Sequence, residues 1–406
     1  MIAVVAGQGA VSATSFATTL ALGRFAGEAA LGQFALGWSC WFLAMSLGDT
    51  LVATPYTYLA SQRRPLCDDL VMAAAWGIVL QCLAFMVVLT SLRFWNAGAI
   101  GALWPALPAA IVAASVREFV RRHWMAVGRA SRVLRMDTSG SLMQLAGLVG
   151  LAVTGQLTAL NVFWVIAVAA SLTLLPFCTP TRLVRLLAAR HAAPRVMASM
   201  LGYGRWLLLG GICHVVSVQA YPWLAFAAGG ERMAGLFAAC TGLLNLLTPL
   251  LTGLTNHFRP QFMLAQARLS VHDFVDYVRR RIAIFVAPAL VLWLVLSLGG
   301  DALLVRVYGA PFREGAVALP WMGLGLVAVA LAAPLQLALL ALHAPVTNLY
   351  YHGSALAWLA LCALMVVGTP SLAALGQAYG AVNVAATLML VVLFATRRWR
   401  HRSVEA

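Results

Sequence analysis

Along the 406-residue chain, apolar residues run in blocks of about 18–28 positions, the length a helix needs to cross a bilayer core of ~30 Å. Read block by block, they predict twelve transmembrane helices. These lie at about 2–22, 32–60, 70–92, 97–117, 138–157, 159–178, 203–228, 234–257, 281–298, 316–340, 350–368 and 371–395. The second is long enough to tilt, to kink at Pro55, or to extend past the membrane. Polar residues recur at helical spacing in four of these blocks. Gln8, Ser12, Ser15 and Thr19 form a stripe in the first, and Ser39, Ser46, Asp49, Thr50, Thr54 and Thr57 follow one broad face of the second. His214, Ser217 and Tyr221 do the same in the seventh, and Thr241, Asn245, Thr248, Thr252 and Thr255 in the eighth. The other spans are drier; the ninth reads IAIFVAPALVLWLVLSL. Lipid cannot satisfy polar groups, so they face protein or a water-filled cavity. Each stripe is therefore either glue between helices or cavity lining, and their occurrence in equivalent spans of the two halves favours a shared cavity.

That equivalence rests on a repeat. GEAALGQFA at 27–35 and GERMAGLFA at 230–238 agree at five of nine positions, at an offset of 203, half the chain length. Both copies fall between consecutive spans on the same side, so each half carries six spans in the same orientation. The chain reads as two pseudo-symmetric six-helix lobes, 1–195 and 196–406, joined by an Arg-rich segment around 179–202. Pro55, Pro222, Pro249, Pro288 and Pro334 fall inside spans, where proline removes a backbone donor and kinks a helix.

Composition sharpens the class. The chain is 62% hydrophobic and 10% charged, with a mean hydropathy of +0.89, which marks a polytopic membrane protein. The net charge of +15 does not point to nucleic acid, because the 27 basic residues are all arginines placed mostly between apolar blocks. Of these, 22 fall on one side of the predicted membrane and five on the other, which puts both termini in the cytoplasm. The seven cysteines are scattered, with neither a disulfide framework nor a metal spacing, and no metal or cofactor site is expected. The first block lacks a positively charged start and a small-residue cleavage site, so it reads as a span and not a signal peptide. No G-x-x-x-x-G-K-[ST] loop is present, which argues against an ATP-driven pump within this chain.

Asp49 is the only carboxylate predicted deep within a span, and it reads as a proton or cation site, a sensor of a substrate headgroup, or a neutral acid bonded to a neighbouring hydroxyl. His214, near the middle of the seventh span, is a second candidate for ion coupling or a helix-bridging donor. Arg24 and Glu28 suggest an ion pair anchoring the first external turn. Arg205 could meet a phosphate through its planar fork or serve as an orientation determinant. Candidate cavity residues are thus Gln8, Ser12, Ser15, Asp49, His214, Ser217, Tyr221 and Asn245.

The stretch LGRFAGEAALGQFALGWS at 22–39 resembles the first external turn of the polysaccharide-transport branch of the MOP (multidrug/oligosaccharidyl-lipid/polysaccharide) exporters, through Arg24, Gly27, Gly32 and Phe34. REFVRRHWMAVGRASRVLRMD at 117–137 is similar to that family's cytoplasmic connection after the fourth span, and VRVYGAPFREGAVALPWMGLG at 305–325 to its turn before the tenth. The resemblance implies an all-α integral membrane fold, about twelve helices as two six-helix bundles in a V around a central cavity on spans one, two, seven and eight. It implies a flippase in the bacterial inner membrane that moves an undecaprenyl-diphosphate-linked oligosaccharide to the periplasmic leaflet by alternating access, for surface or exopolysaccharide assembly. Its expected partners are membrane lipids and a polysaccharide polymerase or glycosyltransferase complex. Arginines occur only at the ends of the cavity helices, which leaves Arg24 and Arg205 as the candidates for binding the diphosphate. The alternatives are a cation-coupled multidrug exporter of the same superfamily and a membrane glycan polymerase or ligase. The enzymes would need a sizeable external loop with catalytic arginines, which is missing, so the reading is a transporter and not an enzyme.

Overall fold

The computed structural model describes residues 2–62, 68–94, 98–177, 193–342, 347–368 and 370–396. The arginines predicted at 63–64 and 397–402, Cys67, Cys178 and the connector at 179–192 lie outside the described residues. Among the described residues every regular element is a helix. In order these are α1 (Ile2–Ala21), a π-helical turn (Leu22–Ala26), α2 (Gly27–Gly48), a second π-helical turn (Asp49–Ala53) and α3 (Thr54–Gln62). Then come α4 (Asp68–Phe94), α5 (Gly98–Ala102), α6 (Ala106–Ala126), α7 (Ala130–Val153) and α8 (Ala159–Leu174). The second half holds α9 (Ala193–Leu244), α10 (Thr248–Arg268), α11 (Val271–Val307), α12 (Leu319–Ala341), α13 (Thr347–Gly368) and α14 (Leu372–Thr396).

Among the described residues, seven continuous helical segments are long and apolar enough to cross a membrane, and two of them are far too long to do so once. Gly9–Ala60 has 52 residues and Leu208–Arg268 has 61; at 1.5 Å per residue each would exceed twice the hydrocarbon thickness. Both break at the repeated signature. Gly27 sits at φ 84°, ψ −179°, and Gly230 at φ 68°, ψ −160°, a region that only glycine occupies without strain. Split there, the seven become nine pieces, which stand at predicted spans one to three and seven to twelve, while α6, α7 and α8 stand at spans four, five and six.

Two boundaries differ from the sequence reading. The fourth span was expected to end at 117, but α6 continues to Ala126, and the fifth begins at Ala130 and not at 138. Hydropathy falls where the arginines begin, yet the helices persist because these side chains find acidic partners, described below. What was read as a long connection is a tight turn at 127–129.

The chain divides into two compact units, Met1–Ala239 with Val307–Pro311, and Cys240–Arg306 with Phe312–Ala406. In the first, α1 packs along α7 and α6 along α8. Its core includes Tyr56, Leu31, Leu36, Leu70 and Phe163, all fully buried. In the second, α12 packs on α14 and α13 on α14. There the Thr387 hydroxyl donates to the Ala328 carbonyl at 3.0 Å, and the Trp293 indole donates to the Pro320 carbonyl at 2.9 Å. Apolar side chains such as Leu298, Leu364 and Met365 stay exposed, as lipid-facing positions should.

Candidate functional site

The polar stripes predicted on spans one and two are largely satisfied within their own helices. Ser15 donates to the Val11 carbonyl at 3.0 Å, Thr19 to Phe16 at 2.8 Å and Thr57 to Ala53 at 2.7 Å. Thr18 adds helix-to-helix glue by accepting from Gln144 of α7 at 3.1 Å. Ser12 is half-buried, and the side chains of Gln8 and Arg205 lie outside what the structure describes. In α9, Ser217 is buried and donates to the His214 carbonyl at 2.8 Å, and Tyr221 is buried with its ring stacked 5.9 Å from Phe237. Asn245, in the second unit, is exposed in a 3₁₀ turn and accepts from Thr248 at 3.3 Å.

Within the first unit, spans two and seven lie against each other with opposed chain directions. Two contacts, Trp223 with Ser39 and Gly211 with Thr50, fix this register, and a third joins span two to the start of span eight, past the Gly230 break. At Gly32 and Gly235 the backbones touch; the Trp223 indole donates to the Ser39 hydroxyl at 2.7 Å; Gly211 faces the Thr50 hydroxyl. The contact of Gly32 with Gly235 answers the puzzle of the repeat. A Cβ on Gly32 would overlap the carbonyl of Glu231, and a Cβ on Gly235 would overlap the carbonyl of Glu28. Each copy of the signature thus uses its second glycine to admit the backbone of the other copy. Two polar contacts brace the crossing: Gln33 donates to Glu231 at 2.9 Å, and Arg232 pairs with Glu28 at 3.3 Å. The Glu28 carboxylate, expected to pair with Arg24, is held by the arginine of the second copy; Arg24 lies exposed in the π-helical turn, near Gly309.

Sequence reasoning missed a network of six charged side chains. Arg117 and Arg121 of α6 grip Asp137 of α7 at 3.0 and 3.1 Å, and the Asp137 side chain is fully buried. Gly7 of α1 closes over that carboxylate, where an added Cβ would stand 3.0 Å from its oxygen. Glu118 bonds Arg121 at 3.3 Å and Arg122 at 2.9 Å. Arg122 also reaches Asp49, at 2.8 Å, where the second π-helical turn begins. The chain of contacts runs Asp49–Arg122–Glu118–Arg121–Asp137–Arg117, three acids against three bases. Asp49 therefore has a guanidinium partner in addition to any hydroxyl. The signal was present in the i, i+4 spacing of Arg117 with Arg121 and Glu118 with Arg122. It was masked because arginines near a span end read as orientation determinants and Asp137 lay one residue outside the predicted fifth span.

The exposed end of this network opens into a small recess lined by Met45, Gly48, Asp49, Gln81, Ser115 and Glu118. Gly48 lets the Gln81 amide approach, and Gln81 donates to the Ala44 carbonyl at 2.6 Å. Below it, the buried Tyr56 hydroxyl meets His123 Nδ1 at 2.7 Å.

With this geometry in place, the fold can be set beside known ones. No protein-family model matches the chain, and no curated protein matches it in sequence. Solved structures do match. An inward-facing multidrug resistance MATE family transporter of the MOP superfamily superposes with a TM-score of 0.77 at 13% identity, over 95% of this chain and 94% of that one. A eukaryotic MATE transporter, AtDTX14, gives 0.68 at 13% identity over 98% and 94%. The lipid II flippase MurJ, in an inward closed conformation, gives 0.66 at 10% identity over 98% and 88%. The chain is an all-α integral membrane protein with the fold of MOP-superfamily transporters.

Proposed function

We propose that the protein is a flippase that carries an undecaprenyl-diphosphate-linked oligosaccharide from the cytoplasmic to the periplasmic leaflet by alternating access, in surface or exopolysaccharide assembly. The observation that carries this reading is the fold shared, across nearly the whole chain, with a lipid II flippase. The external-turn residues Arg24, Gly27, Gly32 and Phe34 point the same way. In this reading the protein is not an enzyme. It sits in the bacterial inner membrane, and the 22-to-5 arginine asymmetry supports cytoplasmic placement of both termini. Its working halves are the lobes 1–195 and 196–406, and a polysaccharide polymerase or glycosyltransferase complex supplies or receives the lipid. The polar faces holding Gln8, Ser12, Ser15, His214, Ser217, Tyr221 and Asn245 line its path, and Asp49 and His214 are the candidates for ion coupling.

The likeness to MATE transporters favours one second reading, a cation-coupled multidrug exporter. Translocation in proteoliposomes separates the two. A fluorescent polyprenyl-diphosphate sugar and an impermeant quencher report flipping. The proposal expects wild-type protein to move the lipid-linked sugar and cationic drugs to be poor competitors. Drug-driven cation exchange with no lipid movement would replace the flippase reading with the exporter.

A further inference from the structure

Resting on the flippase reading, we propose that Arg122 is the guanidinium that receives the substrate's diphosphate on the cytoplasmic side, with Asp49 as the carboxylate that holds its place until substrate arrives. The group is neither Arg24 nor Arg205, the sequence candidates.

Position comes first. The 22 residues of α2 span about 33 Å from Gly27 to the π-helical turn, one hydrocarbon thickness. Gly27 belongs to the turn assigned to the outside, so Asp49 lies at the opposite headgroup level. Arg122 stands at that level too, four residues before the end of α6. A lipid diphosphate loading from the cytoplasmic leaflet arrives at this depth.

Exposure singles out the pair. Asp137 is fully buried, and Arg117 and Arg121 retain only 18% and 13% side-chain exposure. Arg122 and Asp49 retain 35% and 40%, and Asp49 lines the recess. The inner pairs are structural; the outer pair can exchange partners.

The chemistry of the fork completes the argument. Arg122 donates through Nε to Glu118, while one terminal nitrogen stands 2.8 Å from Asp49 Oδ1 as an ion pair without hydrogen-bond alignment. A guanidinium has five N–H donors, so Glu118 can keep orienting Arg122 while the terminal nitrogens turn to a phosphate in a bidentate grip. A diphosphate carries more charge than a carboxylate and more acceptor oxygens, so it displaces Asp49. Once released, Asp49 adds a negative charge beside the bound anion, which limits affinity and lets the substrate leave. The site of a π-helical turn, with its widened backbone, suits a carboxylate that must change partner.

Titration of the purified full-length protein by calorimetry tests this, first with inorganic pyrophosphate and then with undecaprenyl diphosphate in mixed micelles. Wild type is expected to bind both. Asp49→Asn removes the competitor and should tighten pyrophosphate binding about fivefold, the scale of a half-exposed ion pair. Arg122→Gln should weaken it at least about tenfold and Arg122→Lys by an intermediate factor, since lysine keeps the charge and loses the fork. Arg313→Gln, at the other face, should change nothing. Pyrophosphate binding that is absent in wild type, unchanged in Arg122→Gln, or no tighter in Asp49→Asn overturns the assignment. If Arg122→Gln does not fold, Asp49→Asn and Arg122→Lys decide it alone. Lipid translocation with unaltered Arg122→Gln binding would sink the site and spare the flippase. Arg122-dependent pyrophosphate binding without translocation would do the reverse.

Discussion

Replacing Gly32 by alanine is the sharpest test of the crossing between the two signature copies. The added Cβ would overlap the Glu231 carbonyl oxygen and stand 2.8 Å from its carbon and 2.9 Å from the Gly235 nitrogen. A carbon needs about 3.3 Å from a carbonyl oxygen even in a favourable C–H···O contact. The obstacle is backbone on both sides, so no side chain can rotate away and α2 must separate from α9 by more than about 1 Å. Overpacking typically costs about 1–3 kcal/mol; a wholly backbone clash, which also stretches the Gln33–Glu231 and Arg232–Glu28 contacts, belongs at about 3 kcal/mol. Gly235→Ala meets the Glu28 carbonyl in the same way and should cost as much. Because both substitutions open one crossing, the double variant should cost about 3 kcal/mol and not about 6. Gly253→Ala is the control: nothing lies within 4 Å of its Cβ, and alanine is the better helix former by about 1 kcal/mol. Unfolding in dodecyl maltoside micelles with added SDS, followed by tryptophan fluorescence, measures all four. Gly32→Ala unfolding at the wild-type SDS fraction, or strict additivity in the double variant, would refute the reciprocal contact.

The charged network makes a graded prediction in the same assay. Asp137→Asn leaves Arg117 and Arg121 buried without their shared counter-ion and should cost about 3–5 kcal/mol, whereas Asp49→Asn, at the half-exposed end, should cost under about 1 kcal/mol. Equal losses would mean that the network is not layered by burial. Trp223→Phe removes the indole donor to Ser39 while keeping the aromatic volume, and should cost about 1 kcal/mol; Ser39→Ala should then add little on top of it. Full additivity of those two would show that the indole and hydroxyl do not meet.

Apolar block length carried most of the architecture, because in a bilayer the helix is the only open-ended element that satisfies its own backbone. The same simplicity hid the arginine network. Hydropathy weighs each residue alone, whereas Arg117 and Arg121 stay helical and inward because Asp137, some twenty residues on, meets both. The hydroxyl stripes were legible as stripes but not as contacts. Ser15, Thr19 and Thr57 bond to carbonyls three or four residues back, a choice periodicity cannot distinguish from facing a cavity. Asp49 stood out in the sequence as a carboxylate inside an apolar block, yet its partner lies on another helix, 73 positions away in the chain.

The repeated signature was visible as letters, and its reason is geometric. Its first glycine breaks each long helix at positive φ, and its second admits the other copy's carbonyl. A reciprocal contact imposes the same demand on both copies, and so the demand shows in burial as well as in sequence. Across 27–35 and 230–238 the exposure class agrees at eight of nine positions, although the residues agree at only five. Ala29 and Arg232 are both exposed, Leu31 and Ala234 both buried, and the phenylalanines both buried and stacked, Phe34 on Phe163 and Phe237 on Tyr221. The one mismatch is Gln33 against Leu236: Gln33 turns its amide to Glu231, while Leu236 packs inward. Side chains between the glycines could diverge because the contact is made by backbone. The glycines could not, since each one's missing Cβ is the space its counterpart's main chain occupies.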